Sequence, residues 1–585
     1  MGKIIVIGAG QGGLVAAKHL KNFGHDVVVY EAESRENAAH PWRDDIRRAV
    51  FEEAGLTPIP VSDCVQKNKW KFVSPDEKST LKVPMTPPLE EIAIDRRYLL
   101  EYLLKECEGV EVHFESPVES LIVESEKVAG VRVNGKDVRA DMVIDASGYN
   151  SKFRREVPKK FGIPEPASDD KFCAFRGYYR VDLNKNLPDP PCTLYIKHLG
   201  GVGISWCNLS QDNVADVLVG RIGSLSDEEL ERAKTSLLKN HDFNTGEPIV
   251  ERRVDISLRY PAGVLVADGY AIVGDSAYMT MPMMGSGIES AMKAGRMLAE
   301  TIGTDCDFSA KSLYPYQLGF YKLFGFLYVF VDVLKRWALN LPEKDVNWAF
   351  SSGLVTDDDM ALLSTDENAK GLSFLTILKK IGILFKNFSL VCRAVKYAVR
   401  GLNAMAVAKR IPKNYDTEKV RKRSEKLDKK VRGKKRDKSA VKTKETTIKI
   451  LFSAIVCALI SATMFSMKPP RAVSYAETGN CPHEYDDDCD DECNLCGEKR
   501  MPMHYFGEWT VVKEATNDEE GLKERTCVRC HVKQQAILQK TAVPEPQKEK
   551  ILSKSDIAGI VVGSVAAGGL VAFIGATLIK KRRKK

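Results

Sequence analysis

"KIIVIGAGQGGLVAAKHLKNFGHDVVVYEAE", Lys3 to Glu33, decides the fold of this 585-residue chain. Ile4 to Ile7 is a short apolar, β-branched run, the composition of a parallel strand buried on both faces. Gly8, Gly10 and Gly13 follow as G-x-G-x-x-G. Gly8 permits a tight turn, Gly10 lets the backbone approach a pyrophosphate, and Gly13 lets the next helix pack close to the strand. A pyrophosphate there meets the helix N-terminus, where unpaired N–H groups and the positive dipole end face it. Val27 to Tyr30 reads as a second strand, and Glu31 at its end is placed to accept hydrogen bonds from a ribose diol. Glycines alone also fit an ordinary α/β turn. Here they follow a strand, open a helix and precede an acidic residue at the right distance, so the stretch predicts dinucleotide binding and leaves NAD or FAD open.

Three later segments narrow the choice. "ADMVIDASGYNSKFRR", Ala140 to Arg155, runs an apolar strand into Asp145, Ser147 and Gly148. "DGYAIVGDSAYMTMPMMGSGIESAMKAGRMLAE", Asp268 to Glu300, ends a strand at Gly274-Asp275, passes a Pro/Met/Gly loop and opens a helix near Gly287. "IDRRYLLEYLL", Ile94 to Leu104, starts a helix at Arg96. Together with the N-terminal motif, their order resembles the flavoprotein family of aromatic hydroxylases and geranylgeranyl reductases. The resemblance implies tightly held FAD. Asp275 then meets the ribityl chain, the loop Pro282 to Gly287 with Gly285 passes the isoalloxazine ring, and the following helix aims its positive end at the pyrimidine side. It also implies that Arg96 contacts the FAD phosphates or ribityl chain. The plain structural reading of Arg96 is a surface arginine at a helix end. The hydroxylases commonly carry Asp-Gly, a pair that helps nicotinamide use, where this chain has Ser147-Gly148. That departure weakens direct reduction by NADPH and leaves NAD(P)H or another electron donor open.

Residues 160–260 have a different texture: "FCAFRGYYRVDL", "CTLYIKHLGGVGISWCNL" and "NVADVLVGRIG" read as strands. The resemblance makes them an antiparallel sheet roofing the flavin. Trp206 is then a candidate substrate-wall residue, with a plain core position equally open. In "AHPWRDDIRRAVFEEAGLTPIP", Ala39 to Pro60, burial could raise the pKa of Asp44 or Asp45 enough to make it a proton donor. The favoured reading of these two is an N-cap before a helix at Ile46. The seven cysteines from Cys64 to Cys392 are scattered without C-x-x-C, as in reduced cytosolic thiols. G-x-S-x-G and H-E-x-x-H are absent, so hydrolase chemistry has no support. Residues 308–412 read as a helical cap on the flavin part, with a basic amphipathic face compatible with anionic lipid.

The tail changes the address. Lys419 to Lys444 holds 14 Lys/Arg and three acidic residues and reads as a solvated linker better suited to anionic lipid than to nucleic acid. Ile450 to Met467 and Ile557 to Ile579 are uncharged stretches of 18 and 23 residues, each long enough to span a bilayer. The whole-chain charge of +8 conceals positive charge at the outer flanks of both. The positive-inside rule then places 1–449 and the final KKRRKK in the cytoplasm and 468–556 outside a cell membrane. No leader is expected before the first strand. Alternatively, Lys442 to Ala476 reads as a secretory signal, and the chain as two genes fused.

Between the two stretches stand His483, Cys489, Cys493 and Cys496, then Cys527 and Cys530 as C-x-x-C. These segments resemble short cysteine modules of bacterial surface proteins, which look like small zinc ribbons. One site could use His483, Cys489, Cys493 and Cys496, or a four-cysteine ribbon could use Cys493, Cys496, Cys527 and Cys530. Disulfides are the other route to stability for so small a region.

The sequence therefore predicts an α/β protein. Residues 1–160 and 262–305 form a Rossmann-like FAD-binding domain, 161–261 an antiparallel substrate domain and 306–415 a helical region. A basic linker (416–449), a transmembrane helix (450–467), an extracytoplasmic Cys/His module (478–540) and a second transmembrane helix (557–579) follow. The expected function is a membrane-anchored FAD-dependent oxidoreductase reducing an unsaturated, isoprenoid or other lipid substrate. The alternatives are a flavin monooxygenase acting on a small aromatic, or a surface-binding sensor with a vestigial flavin domain and an unidentified outside partner.

Overall fold

The computed structural model describes residues 1–83, 88–181, 189–210, 213–240, 245–283, 285–357, 383, 386–433, 510–514, 521–526 and 533–538. The chain divides into two compact units, residues 1–469 with 556–585, and residues 470–555.

The first unit is built on a six-stranded sheet of β1 (Lys3–Ile7), β2 (Asp26–Tyr30), β7 (Glu111–His113), β11 (Met142–Asp145), β17 (Val266–Ala267) and β18 (Tyr270–Ile272). Its order is β17-β18-β11-β1-β2-β7, parallel except for β17 at one edge. The central place of β1 explains its composition, since Ile4, Ile5 and Val6 are wholly buried. Helix α1 (Gln11–Asn22) follows the glycine turn. Gly8 has φ +96°, open to glycine without strain, and a Cβ on Gly13 would sit 2.7 Å from that of Ala146. Helix α5 (Ile288–Ile302) packs against α1, a Cβ on Gly12 falling 2.9 Å from the Ala291 carbonyl. Glycines thus bring two helix starts onto the carboxyl edge of one parallel sheet, where α/β proteins bind ligands.

The predicted roof is a seven-stranded sheet, ordered β16-β12-β15-β14-β13-β4-β5. It contains β12 (Lys171–Val181), β13 (Cys192–Ile196), β14 (Gly203–Ser210), β15 (Val214–Ile222) and β16 (Thr245–Ser257). It also takes β4 (Trp70–Val73) and β5 (Thr80–Lys82) from the stretch assigned to the dinucleotide-binding part, with β4 running parallel to β13. Alternation sorts its faces. The outer face, with Phe175, Tyr179, Val217 and Val219, is covered by helix α4 (Asp227–Asn240) through Leu230, Ala233 and Leu237. The inner face carries Phe172, Ala174 and Leu218, with Ile204, Trp206, Ile222, Val254 and Ile256 only partly covered.

Two smaller sheets complete the strands of this unit. A three-stranded meander is formed by β8 (Val118–Glu124), β9 (Lys127–Val133) and β10 (Lys136–Arg139). A two-stranded ribbon pairs β3 (Arg43–Arg47) with β6 (Glu91–Asp95). The ribbon corrects one expectation: Asp44 and Asp45 lie inside a strand and cap no helix. Their partner strand is about fifty residues away, so the local sequence could not show it.

The helical region is α6 (Ala310–Phe320), a wide π-turn (Tyr321–Gly325), α7 (Phe326–Leu339), α8 (Glu343–Ser351) and α9 (Phe388–Lys409). Among the described residues, the run Ala310–Leu339 alone is long and apolar enough to cross a membrane, and 67% of its apolar window is buried inside the fold. A second correction follows. Thr417–Arg432, assigned to a solvated linker, is helix α10, capped by the Asp416 side chain accepting from the Lys419 N–H. Its Val420, Ser424, Leu427 and Val431 recur at helical spacing and are buried together with Arg423, so most of the charges occupy the other faces. Both predicted transmembrane helices and the candidate metal residues His483, Cys489, Cys493, Cys496, Cys527 and Cys530 lie outside the described residues. In the second unit the described part is an antiparallel sheet of β19 (Thr510–Lys513), β20 (Gly521–Thr526) and β21 (Lys533–Leu538).

Candidate active site

The predicted dinucleotide residues converge. At the end of β2, Glu31 accepts from the Ala9 N–H in the glycine turn at 2.7 Å and from the Glu33 N–H at 2.9 Å. Arg96 is the first residue of helix α3 (Arg96–Glu106), whose start is fixed by Asp95 accepting from the N–H groups of Arg97 and Tyr98. The Arg96 guanidinium donates to Asp44 Oδ2 at 2.9 Å and to Oε1 of Gln11, the first residue of α1, at 3.3 Å. Its Nε is buried without a partner. Gly274 has φ +69° and presents Asp275, whose Oδ1 accepts from Thr280 Oγ1 at 2.6 Å. Burial raises the Asp275 pKa against the opposing Thr280 hydrogen bond and Arg96 charge. Gly287 caps α5 close by, where a Cβ would fall 3.4 Å from Asp275 Oδ1. Gly285, φ +75°, closes the preceding loop by donating to the Met281 carbonyl at 3.0 Å.

The segment after β11 is pinned from beneath. Buried Asp145 accepts from the Ser147 N–H at 3.0 Å, Ser147 Oγ at 2.6 Å, Ser151 Oγ at 2.5 Å and Tyr270 OH at 2.7 Å. Arg154 ties this segment to the next, donating to the Tyr149 carbonyl at 2.8 Å and the Ser276 carbonyl at 3.0 Å. Gly148 has φ +89° and open space where its Cβ would stand. An unpartnered arginine nitrogen, glycines that leave room for a backbone approach, and two converging helix starts together suit a bound dinucleotide.

The ribbon joins floor to roof. Arg176, from the inner face of β12, donates to Asp44 Oδ1 at 2.7 Å, to the Arg43 carbonyl at 2.6 Å and to both oxygens of Asp216 on β15 at 2.8 and 2.7 Å. It lies 5.2 Å from the Trp42 ring and 5.4 Å from Trp206, which meets Trp70 edge-on at 5.5 Å. The two aspartates of one strand differ in state. Burial works to raise Asp44, but the charges and hydrogen bonds of Arg176 and Arg96 hold it below the usual carboxylate range. Asp45 points to Lys67 at 3.9 Å, and burial with the nearby Asp44 and Glu91 charges pushes it up to about 6, Lys67 opposing. Beside them His40 stacks on Trp42 at 4.4 Å, and burial with the Arg96 charge lowers it to about 4.

Sequence reasoning named Asp44, Asp45 and Trp206 but missed Arg176, Asp216, Trp70 and His40. A signal existed: "FCAFRGYY" and "NVADVLVG" each carry one charge in a buried strand, of opposite sign. Among the described residues no cluster of His, Cys, Asp and Glu could hold a metal.

A model of the FAD binding domain matches residues 1–307, and the chain belongs to that family. It is an FAD-dependent oxidoreductase of the hydroxylase and geranylgeranyl reductase type. Over 410 residues it is 23% identical to the digeranylgeranylglycerophospholipid reductase of Sulfolobus acidocaldarius, covering 66% of this chain and 89% of that protein. Over 395 residues it is 26% identical to digeranylgeranylglycerophospholipid reductase 2 of Methanococcoides burtonii, covering 65% and 91%. A geranylgeranyl bacteriochlorophyll reductase-like protein of Thermoplasma acidophilum shares the fold, with TM-score 0.53, 22% identity and 66% and 97% coverage. These relatives are archaeal and lend no support to the bacterial character expected from the cysteine modules.

Proposed function

We propose that the chain is a membrane-associated FAD-dependent reductase of an unsaturated isoprenoid chain carried by a lipid. The observation that carries this reading is the inner roof face, where Ile204, Trp206, Ile222, Val254 and Ile256 form an apolar surface left partly uncovered beside the candidate flavin site. The relatives' printed names supply the substrate class. Residues Gly8, Gly10, Gly13, Glu31, Arg96, Gly148, Gly274, Asp275, Gly285 and Gly287 hold the dinucleotide. FAD, when bound, supplies hydride transfer from NAD(P)H or another donor to a carbon–carbon double bond. Asp45, with its raised pKa, supplies the balancing proton to the second carbon, while Asp44 stays ionised and locks floor to roof through Arg96 and Arg176. Trp206 and Trp70 wall the apolar surface.

The stretches 450–467 and 557–579 anchor the enzyme, with 1–449 cytoplasmic and 468–556 outside. The outer Cys/His residues bind zinc. A second reading, hydroxylation of a small aromatic, draws on the ring cluster of Trp42, Trp70 and Trp206.

One experiment separates the two. The full chain, purified in lipid nanodiscs, is reduced anaerobically with NADPH or dithionite and then mixed with a digeranylgeranyl lipid. Reoxidation of the bleached flavin by the lipid, with the saturated product in the extract, is the expected result. Reoxidation that needs oxygen and an aromatic phenol supports the hydroxylase. A chain that takes up no flavin overturns both.

A further inference from the structure

The run Ala310–Leu339 is mostly buried, yet two of its leucines are not. Leu323 is 50% exposed and Leu327 is 44% exposed, with exposed Lys322 beside them and Phe324 partly covered. Leu323 lies in the π-turn, a rare geometry often found at functional sites. From Leu327 the apolar positions continue at helical spacing into the protein, as Phe330 (8% exposed) and Leu334 (3% exposed). These two pack against Met283 of the candidate flavin loop and Leu402 and Met405 of α9, all three partly uncovered. Two residues further along that loop, a Cβ on Gly285 would stand 4.0 Å from Leu258, which belongs to the inner roof face. An apolar seam therefore runs from two exposed leucines past the loop to the surface assigned to the substrate.

What covers its outer end is indicated by the surroundings of the end of α10 and by the charge of the sequence that follows it. Helix α10 docks on α9 with Arg400 Nε donating to the Lys430 carbonyl at 2.9 Å, and Gly433 lies against the Arg400 guanidinium. The next residue, Gly401, lies against the Phe330 ring, where a Cβ would be 2.8 Å away. The end of α10 thus lies near the seam. Sixteen residues separate Gly433 from the uncharged stretch that begins at Ile450, a reach of at most about 60 Å. Lys429 and Lys430 are exposed at the exit and the following segment is strongly basic, charge that complements an anionic bilayer.

We infer that Leu323 and Leu327 insert into an anionic bilayer and that the seam behind them is the path by which a lipid chain leaves it for the roof face. The inference rests on the reading above, on its isoprenoid substrate for the cargo and on its membrane anchor for the tether. A bare pair of leucines gains little alone. Two buried leucines with several lysine–phosphate attractions suffice for a surface already tethered to the membrane.

The test uses the full chain in vesicles of phosphatidylcholine and phosphatidylglycerol, with p-benzoylphenylalanine introduced singly at Leu323, at Leu327, or at Val123, a control that is 40% exposed on β8. After irradiation, lipid adducts on the peptide are read by mass. The expected result is adducts at Leu323 and Leu327 at least tenfold above Val123, reduced when phosphatidylglycerol is omitted. Equal yields at all three positions, or none at the leucines, overturn the proposal. In a second arm, L323E/L327E slows flavin reoxidation by vesicle-embedded digeranylgeranyl lipid tenfold, leaving that by detergent-dispersed geranylgeraniol unchanged. Wild-type failure with both probes removes the isoprenoid reading while the adducts still decide the membrane contact.

Discussion

Asp44 and Asp45 are neighbours in sequence and opposites in chemistry. The strand alternation turns Asp44 to Arg96 and Arg176 and Asp45 to Lys67. Because the folded pKa of Asp45, about 6, lies above its ordinary value, its protonated form favours folding. That contribution is present below about pH 4 and is lost as pH rises through 6. Asp45→Asn therefore raises the unfolding free energy at pH 8 but not at pH 4, by about 1 kcal/mol once the partial exposure of the side chain is discounted. In the proposed reaction the same variant slows double-bond reduction about 100-fold or more and flattens the fall in rate above pH 6, while flavin reduction is unaffected. Calorimetry at two pH values and a pH–rate profile check both halves, and a wild-type profile flat from pH 5 to 8 removes Asp45 as the proton donor. Arg96 makes a separate prediction. Its unpartnered Nε leaves a donor for a phosphate, so Arg96→Ala weakens FAD binding by roughly 10- to 100-fold in a fluorescence titration. That the glycines, Glu31, Arg96 and Asp275 would stand near one another was legible because backbone conformation and charge at a helix start are local demands. Arg176 and Asp216 were not, since a charge in a buried strand declares its partner only when two strands are set in register.

Among the elements, α10 shows best how a composition can mislead. Its basic residues suggested a linker, and its apolar stripe of Val420, Leu427 and Val431 was hidden among them. Arg432 near its end reaches Asp169 and Asp170, which Arg336 of α7 also engages, and Arg259 lies 3.2 Å from Asp170. Asp170 is wholly buried, and despite that burial the charges of Arg259, Arg432 and Arg336 hold its pKa below the ordinary value. The sign is opposite to that of Asp45. This contribution is present above about pH 4 and is lost as pH falls through the depressed folded pKa. Asp170→Asn removes the shared counter-charge of three arginines and is expected to cost about 3 kcal/mol or more at pH 7, with the gap to wild type narrowing in acid. Denaturant unfolding at pH 7 and pH 3 reads both, and equal midpoints at pH 7 would show that the network adds nothing to stability. The strand β3 erred in the other direction. "WRDDIRR" has the local look of a helix start, and only the pairing of Asp44 with Ile94 makes it a strand.

At the scale of the whole molecule, the order of segments over the first three hundred residues was legible because each motif demands a particular neighbour in the fold. What escaped was how far the packed core of the flavin part extends. Residue 415 looked like its boundary, since a run of lysines and arginines follows. Helix α10 adds Val420, Leu427 and Val431 to that core. Removing α10 uncovers a bed formed by Tyr260, Tyr321, Val407 and Ala408, with Val264 and Tyr314 alongside. It also strips Arg423 from the Tyr321 ring, 4.5 Å away, and from the Ala408 carbonyl. Burial of Val420, Leu427 and Val431 is worth roughly 1.5–3 kcal/mol each, and a whole domain has only about 5–15 kcal/mol to lose. A fragment of residues 1–433 is therefore expected to be monodisperse and yellow after FAD is supplied, whereas residues 1–415 aggregate or melt far lower. Size-exclusion chromatography with flavin absorbance distinguishes them. If the shorter fragment matched the longer in midpoint and flavin content, α10 would be an appendage. If it fails as expected, the basic helix is part of the flavoenzyme's own core, and a run of lysines and arginines that reads as a linker is in fact a packed element.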